Sequence, residues 1–280
     1  MNTKTCIIIS GPTAIGKTAY AIELARQYNT QIISADSRQC FRELNIGVAK
    51  PSPEQLKSVQ HYFINSHSIH EEVNTKIFEQ YALSVINKIF RTNDVAIMAG
   101  GTGLYIKAFC EGLDDIPPVC GTIRNEINEQ YKTMGLQWLQ DEIEKHDLLY
   151  FSLGEMQNPQ RIIRALEVKL SSGQSICNFH SGEKIQRDFE IKKVNLEIHR
   201  DELYKRINHR VDEMMQAGLL KEAEALFKYR HVNALQTVGY KELFDFMEGK
   251  ITLPEAIDEI KKNTRHFAKR QITWFKKFSG

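Results

Sequence analysis

Eight residues near the N-terminus, Gly11-Pro12-Thr13-Ala14-Ile15-Gly16-Lys17-Thr18, fit the pattern G-x-x-x-x-G-K-[ST] in full. Glycines in such a loop let backbone N–H groups curl around phosphate oxygens, and a helix N-terminus behind it adds positive potential. Lys17 is placed to reach the terminal phosphate, and the Thr18 hydroxyl to ligate Mg²⁺. The loop predicts a di- or triphosphate ligand. Asp36 closes a second apolar run. A carboxylate there can hold Mg²⁺ through water, take a proton from an attacking nucleophile, or cap a turn. Gly100-Gly101-Thr102-Gly103 closes a third. Its glycines permit close backbone approach and the Thr102 hydroxyl can bond a substrate oxygen, although a plain tight turn fits equally. Arg206 and Arg210 share one helix face, where they can clamp phosphate or pair with Asp212 or Glu213. Gln160, Arg161 and Arg164 pose the same choice.

The elements that must position these groups follow from periodicity. Thr5–Ser10 reads as a buried strand leading into the loop, followed by a helix over Lys17–Tyr28 and a strand over Gln31–Ala35. His61–Asn65 is a short strand, Thr75–Phe90 a helix with apolar Phe78, Ala82, Val85, Ile86 and Ile89, and Val95–Ala99 another strand. A helix resumes at Leu104. This alternation predicts an α/β fold, a phosphate-loop NTPase-like parallel sheet with helices on both faces. All three candidate loops leave carboxyl ends of strands, the edge where ligands of such sheets bind.

Alternation stops near Pro117-Pro118. Helices are expected over Thr122–Met134, Gly135–His146 and Pro159–Ser171, the last capped by Asn158 and ended by Gly173. Val194–Ile198 reads as one more core strand, and the chain after Arg200 as helical, punctuated by Gly218, Gly239 and Gly249. Residues 120–187 are therefore expected to form a helical insertion domain within a core of residues 1–119 and 188–280.

Composition narrows the function. At 42% hydrophobic and 26% charged, the chain has the balance of a soluble globular protein, with no apolar run near the roughly 18–20 residues of a membrane span. Its N-terminal residues read as a strand rather than a signal peptide, which points to the cytoplasm. Five cysteines without CxxC spacing argue against disulfides and structural zinc. The nine histidines lack HExxH spacing, and Asp114-Asp115 reads as a loop rather than a metal site. The net charge of +2 hides an asymmetry: residues 192–280 hold 18 basic side chains against 13 acidic. The last twenty residues hold seven basic and no acidic side chains, interleaved with Phe267, Trp274, Phe275 and Phe278. Such a tail suits a polyanionic partner or a solvated helix packing its aromatics on the body. These features alone allow a phosphate-loop enzyme such as a small-molecule kinase, or an RNA-binding module with a nucleotide switch.

The motifs in combination resemble the bacterial tRNA dimethylallyltransferases, also called tRNA isopentenyltransferases. The matching stretches run in order over nearly the whole chain: Gly11–Thr18, Ser34–Gln39 (SADSRQ), Asn45–Pro51 (NIGVAKP) and Ala99–Tyr105 (AGGTGLY). Gln160–Val168 (QRIIRALEV), Arg206–Gly218, Gln236–Lys241 (QTVGYK) and Thr264–Trp274 (TRHFAKRQITW) follow. The resemblance implies transfer of a dimethylallyl group from dimethylallyl diphosphate to the exocyclic amine of the adenosine 3′ of the anticodon, in tRNAs reading codons that begin with U. Pattern matching alone would label the loop ATP-binding; the resemblance gives it the prenyl donor's diphosphate, with Mg²⁺ as cofactor. It implies Asp36 as base, Thr102 near the bridging oxygen of the leaving group, and Arg210 on the diphosphate. It implies tRNA contacts, to the anticodon stem-loop, from Asp36, Ser37, Arg38, Gln39, Thr102, Arg124, Gln160, Arg161, Ile162, Ile163, Arg164, Gln236, Thr237, Val238, Gly239, Tyr240 and Lys241, and a monomer. A related class prenylates free adenine nucleotides; the insertion, QTVGYK and the basic tail favour tRNA. Departures are Cys40-Phe41 where an aliphatic residue and Tyr are usual, Val48 for Thr, and Ser152–Asn158 in place of the usual RIHPND.

Overall fold

The computed structural model describes residues 3–180 and 182–279, leaving Met1, Asn2, Ser181 and Gly280 outside. The chain runs β1 (Thr5–Ser10), α1 (Lys17–Gln27), β2 (Ile32–Ser34), α2 (Pro53–Ser58), β3 (His61–Tyr62), α3 (Thr75–Ile89), β4 (Val95–Ala99) and α4 (Gly103–Glu111). Next come α5 (Gly121–His146), α6 (Leu148–Leu153), α7 (Pro159–Ser172) and β5 (Glu190–Asn195). The remainder is helical: α8 (Arg200–Gln216), α9 (Leu219–Leu226), α10 (Tyr240–Met247) and α11 (Leu253–Ser279).

Contacts divide the chain into two compact units, one ending at Gly112 and resuming at Ile185, the other spanning Leu113–Lys184. The latter begins and ends a few residues earlier than the 120–187 expected from the loss of strand–helix alternation. The reason is local: Ile185 N donates to Glu111 O at 2.9 Å and the Ile185 side chain covers Gly112, so the chain rejoins the first unit there.

The first unit is built on a five-stranded parallel sheet of order β3-β2-β4-β1-β5. Successive side chains of a strand face opposite sides. Cys6 and Ile8 accordingly join Ile33, Met98 and the helices α3 and α4 in one core, while Ile7 and Ile9 join Ile32, Ile97 and α1 in the other. Both faces are covered, as the near-continuous apolar runs require. Ile9 and Ser34 both pair with Ala99, which brings the carboxyl ends of β1, β2 and β4 to one edge.

Two strands differ from expectation by more than one residue at an end. The last strand is Glu190–Asn195 rather than Val194–Ile198, because pairing with β1 from Thr5↔Glu190 to Ser10↔Asn195 sets the register; this edge strand is largely exposed rather than core. The third strand stops at Tyr62 instead of Asn65, since Phe63 and Asn65 adopt positive φ (61° and 54°) and turn the chain.

In the second unit, α5 is interrupted where two helices were expected to meet, with Gly135 at φ 78°, ψ −164°. Asn158 caps α7 by accepting from Gln160 N, with Pro159 in the first turn and Gly173 (φ 75°) at the far end. Its core holds Ile127, Leu139, Ile143, Ile162, Ile163 and Leu166. The five cysteines are free thiols. Among the described residues no helix is long and apolar enough to cross a membrane.

Candidate active site

The phosphate loop leaves β1 and turns sharply. Gly11 sits at φ +142°, where a Cβ would come within 2.9 Å of Leu196 O, and Gly16 opens α1 at φ +105°. Both conformations favour glycine. Lys17 Nζ donates to the carbonyls of Gly11 (3.0 Å) and Pro12 (2.7 Å). Burial lowers its pKa to about 8, opposed by the Asp36 charge and reinforced by Arg210. Lys17, Asp36 and Arg210, drawn from α1, the end of β2 and α8, therefore share one electrostatic neighbourhood.

Asp36 and Thr102 are tied together by backbone. Asp36 Oδ1 accepts from Arg38 N (2.9 Å) and Gln39 N (3.2 Å), so the carboxylate does cap its own turn, through one oxygen. Ser37 N donates to Thr102 Oγ1 (3.0 Å) and Thr102 N to Ala35 O (3.1 Å). Gly100 lies so close to Ala35 that a Cβ would overlap its carbonyl. This is the close approach that the glycine run permits, and the neighbour is protein backbone.

These groups line a cavity of about 540 Å³. Asp36, Arg38, Thr102 and Arg210 contribute its polar side; Ile207, Val211, Met214, Ile260 and Phe267 contribute an apolar wall. A charged group attached to a small apolar one matches this division. Of the two arginines on α8, Arg210 lines the cavity and burial lowers its pKa, whereas Arg206 pairs with Glu202 at 3.0 Å in solvent.

Val48, Gln236, Thr237, Val238, Gly239 and Lys241 also border the cavity. What holds them is a carboxylate that sequence reasoning missed. Glu222 accepts from the backbone N–H of Asn45 (3.3 Å), Ile46 (2.9 Å) and Gly47 (3.0 Å) and from the Tyr240 hydroxyl (2.5 Å). Tyr240 is fully buried against Gly47, where a Cβ would meet its ring at 2.6 Å. Its expected tRNA contact is corrected accordingly: it supports a loop. Gln39 is turned inward too, its amide donating to Val48 O (3.3 Å) and Ala49 O (3.1 Å). Phe41, where a Tyr is usual, is buried in the core beside Cys40, whose thiol burial pushes up to about 12. A glutamate on an amphipathic helix reads as solvated in sequence, so nothing marked Glu222.

Gln271 was likewise unmarked except as part of TRHFAKRQITW. It accepts from Thr13 N (2.8 Å) and donates to Gly101 O (2.9 Å). Of the tail aromatics, Phe275 is buried and Trp274 and Phe278 pack on the core, while Phe267 remains exposed.

In the second unit, Arg124 forms a two-pronged pair with Glu167 (3.1 and 3.4 Å), and Arg164 reaches the same carboxylate at 3.5 Å. Both guanidiniums stay partly exposed while Glu167 is buried. Arg161 lies 4.0 Å from Glu155, and Gln160 is exposed at the start of α7. Ile162 and Ile163 are buried in this unit's core, which corrects the expectation that they contact tRNA.

Among the described residues no cluster of three His, Cys, Asp or Glu side chains can cage a metal. The Thr18 hydroxyl, in the first turn of α1, is a hard oxygen donor of the kind Mg²⁺ takes.

Comparison with known proteins places the whole chain. The IPP transferase family matches residues 39–278. The tRNA dimethylallyltransferase of Flavobacterium psychrophilum is 48% identical over 277 residues, covering 97% of this chain and 90% of that one. That of Flavobacterium johnsoniae is 45% identical over 280 residues, covering 98% and 91%. Among solved structures, the tRNA isopentenylpyrophosphate transferase of Bacillus halodurans superposes with a TM-score of 0.70 at 36% identity, covering 98% of this chain and 87% of that one. A eukaryotic dimethylallyltransferase acting on tRNA gives a TM-score of 0.81 at 25% identity, covering 97% and 70%. With that family match spanning most of its length and a relative nearly half identical over 97% of it, the chain belongs to the IPP transferase family.

Proposed function

We propose that this protein transfers the dimethylallyl group of dimethylallyl diphosphate to the exocyclic amine of the adenosine 3′ of the anticodon, in tRNAs reading codons that begin with U. The observation that carries the reading is that one cavity, reached by Thr13 of the phosphate loop, is lined by Asp36, Thr102 and Arg210 and also by apolar side chains.

Each group has a physical task. Lys17 and Arg210 neutralise charge that builds on the diphosphate as the allylic C–O bond breaks and its electron pair leaves with oxygen. Thr102 sits beside the bridging oxygen. The adenine amine is a poor nucleophile because its lone pair is delocalised into the ring. Asp36 removes its proton as the new N–C bond forms, through the carboxylate oxygen not engaged by Arg38 and Gln39. Mg²⁺, held through Thr18, supplies further neutralisation of the diphosphate when bound. The base is turned out of the anticodon loop to reach Asp36, at modest cost in single-stranded RNA. Ser37, Arg38, Gln236, Lys241 and, on the insertion unit, Arg124, Gln160, Arg161 and Arg164 supply tRNA contacts.

The test is purified protein with Mg²⁺, labelled dimethylallyl diphosphate and unmodified tRNA, with AMP in parallel. Label in tRNA alone is expected. Label in AMP assigns the site to free nucleotides, and label in neither, with ATP consumed, assigns it to phosphoryl transfer.

A further inference from the structure

Resting on the transfer reading above, we infer that Gln271 is a positioning residue for the diphosphate end of the site, holding the phosphate loop and the Gly100–Gly103 loop at a set separation. The two loops leave neighbouring strands, β1 and β4, and Gly100 N still donates to Ile9 O at 3.1 Å where they part. Beyond that point one side chain spans them. Gln271, only 6% exposed, directs its carbonyl oxygen at Thr13 N (2.8 Å) and its amide nitrogen at Gly101 O (2.9 Å). The amide has one sensible orientation there, since the reverse would set oxygen against oxygen and N–H against N–H.

The glycines of the loop are shaped to this contact. A Cβ on Gly101 would overlap the Gln271 amide nitrogen, and a Cβ on Gly103 would overlap the indole of Trp274, one turn further along α11. The Gly101–Gly103 loop is thus moulded to the C-terminal helix. Functional groups flank the bridge on both sides. Thr102 follows Gly101 directly, and Lys17 donates to Gly11 and Pro12 just before Thr13. The Thr13 amide, engaged by Gln271, serves as an anchor rather than a phosphate donor. Gln271 thereby sets the span between the ammonium that holds the diphosphate and the hydroxyl beside its bridging oxygen. A displacement of about 1 Å at such a span costs on the order of 10²-fold in rate.

The experiment uses the full chain and the variants Gln271→Met, Gln271→Asn, Gly101→Ala, Gln271→Ala and the double Gly101→Ala/Gln271→Ala. Readouts are kcat and KM for dimethylallyl diphosphate at saturating tRNA, the tRNA Kd, and binding of inorganic pyrophosphate by calorimetry. For Q271M, kcat is expected to fall by roughly 10- to 100-fold and pyrophosphate binding to weaken, with tRNA Kd within about twofold of wild type. Q271N, one methylene too short to reach both loops, is expected to behave like Q271M and serves where the latter does not fold. Gly101→Ala alone is expected to lose activity, yet to cost nothing more once Gln271→Ala has removed the amide it strikes, a coupling that independent sites do not show. Wild-type kcat and pyrophosphate affinity in the Gln271 variants overturn the inference, as do multiplicative losses in the double variant. A wild-type protein that binds pyrophosphate but prenylates no tRNA refutes the proposed reaction instead, and the pyrophosphate data still decide the role of Gln271.

Discussion

Replacing Asp36 by Asn separates the two things its carboxylate does. Oδ1 accepts from Arg38 N and Gln39 N, and an Asn oxygen can accept the same two bonds. What Asn lacks is basicity. Loss of a general base removes about 10²- to 10⁴-fold from the chemical step, or about 2.7–5.5 kcal/mol. Exchanging charge-assisted bonds for neutral ones costs about 1 kcal/mol of stability, a Tm shift of roughly 2–4 °C for a chain of this size. Asp36→Ala loses both hydrogen bonds and is expected to be less stable again by about 1–3 kcal/mol. Single-turnover prenylation of bound tRNA, with tRNA Kd measured separately, reads the chemistry. A second signature follows from charge: Asp36 raises the pKa of Lys17, so the Asn variant should lose pyrophosphate affinity at a lower pH than wild type. If Asp36→Asn turns over bound tRNA within tenfold of wild type, Asp36 is not the base and its turn-capping role is the whole of its contribution.

Pyrophosphate binding is expected to weaken as pH rises through about 8, where Lys17 loses its proton, and the profile should flatten in Lys17→Met; calorimetry across pH 6.5–9.5 checks both. The sign for folding is opposite. A lysine whose folded pKa lies below its unfolded value of 10.5 disfavours folding while charged, so its contribution to stability improves between about pH 8 and 10.5. Gly100→Ala, which drives a Cβ into the Ala35 carbonyl, should lose about 1–3 kcal/mol or more in urea unfolding. Gly121→Ala, at the start of α5 with open space around it, should be neutral or stabilising by up to about 1 kcal/mol. Arg164→Ala should reduce the slope of log Kd for tRNA against log salt by about 1 if that guanidinium neutralises one phosphate; an unchanged slope removes Arg164 from the interface.

Much of the candidate site was legible because its signals are local. A glycine-rich loop between an apolar run and a helix carries its own pattern, and Asp36 and Thr102 lie in the loops just after apolar runs that read as strands. The helix breaks were local too: Gly135, Gly173, Gly218 and Gly239 all take the positive φ their positions suggest. Spacing alone could not tell Arg206 and Arg210 apart, since four residues put both on one face; the resemblance named Arg210, and packing sets that one at the cavity and the other in solvent. Val194–Ile198 looked the better strand by side-chain character, but hydrogen-bond register with β1 chose the more polar Glu190–Asn195. Tyr240, Ile162 and Ile163 lie within stretches expected to meet tRNA, yet their own side chains point into cores.

The sequence by itself determined the chemistry's raw materials: a phosphate loop, a carboxylate and a hydroxyl at strand ends, a helical insertion and a basic tail. Tertiary structure decided how those parts are held to each other. Glu222 gathers the 45–47 backbone from more than 170 residues away, and Gln271 joins two loops from the far end of the chain. A lone polar residue on an amphipathic helix has no period and no motif of its own. Its partners are backbone groups, which every sequence carries alike, so only the folded chain can show which of them it meets.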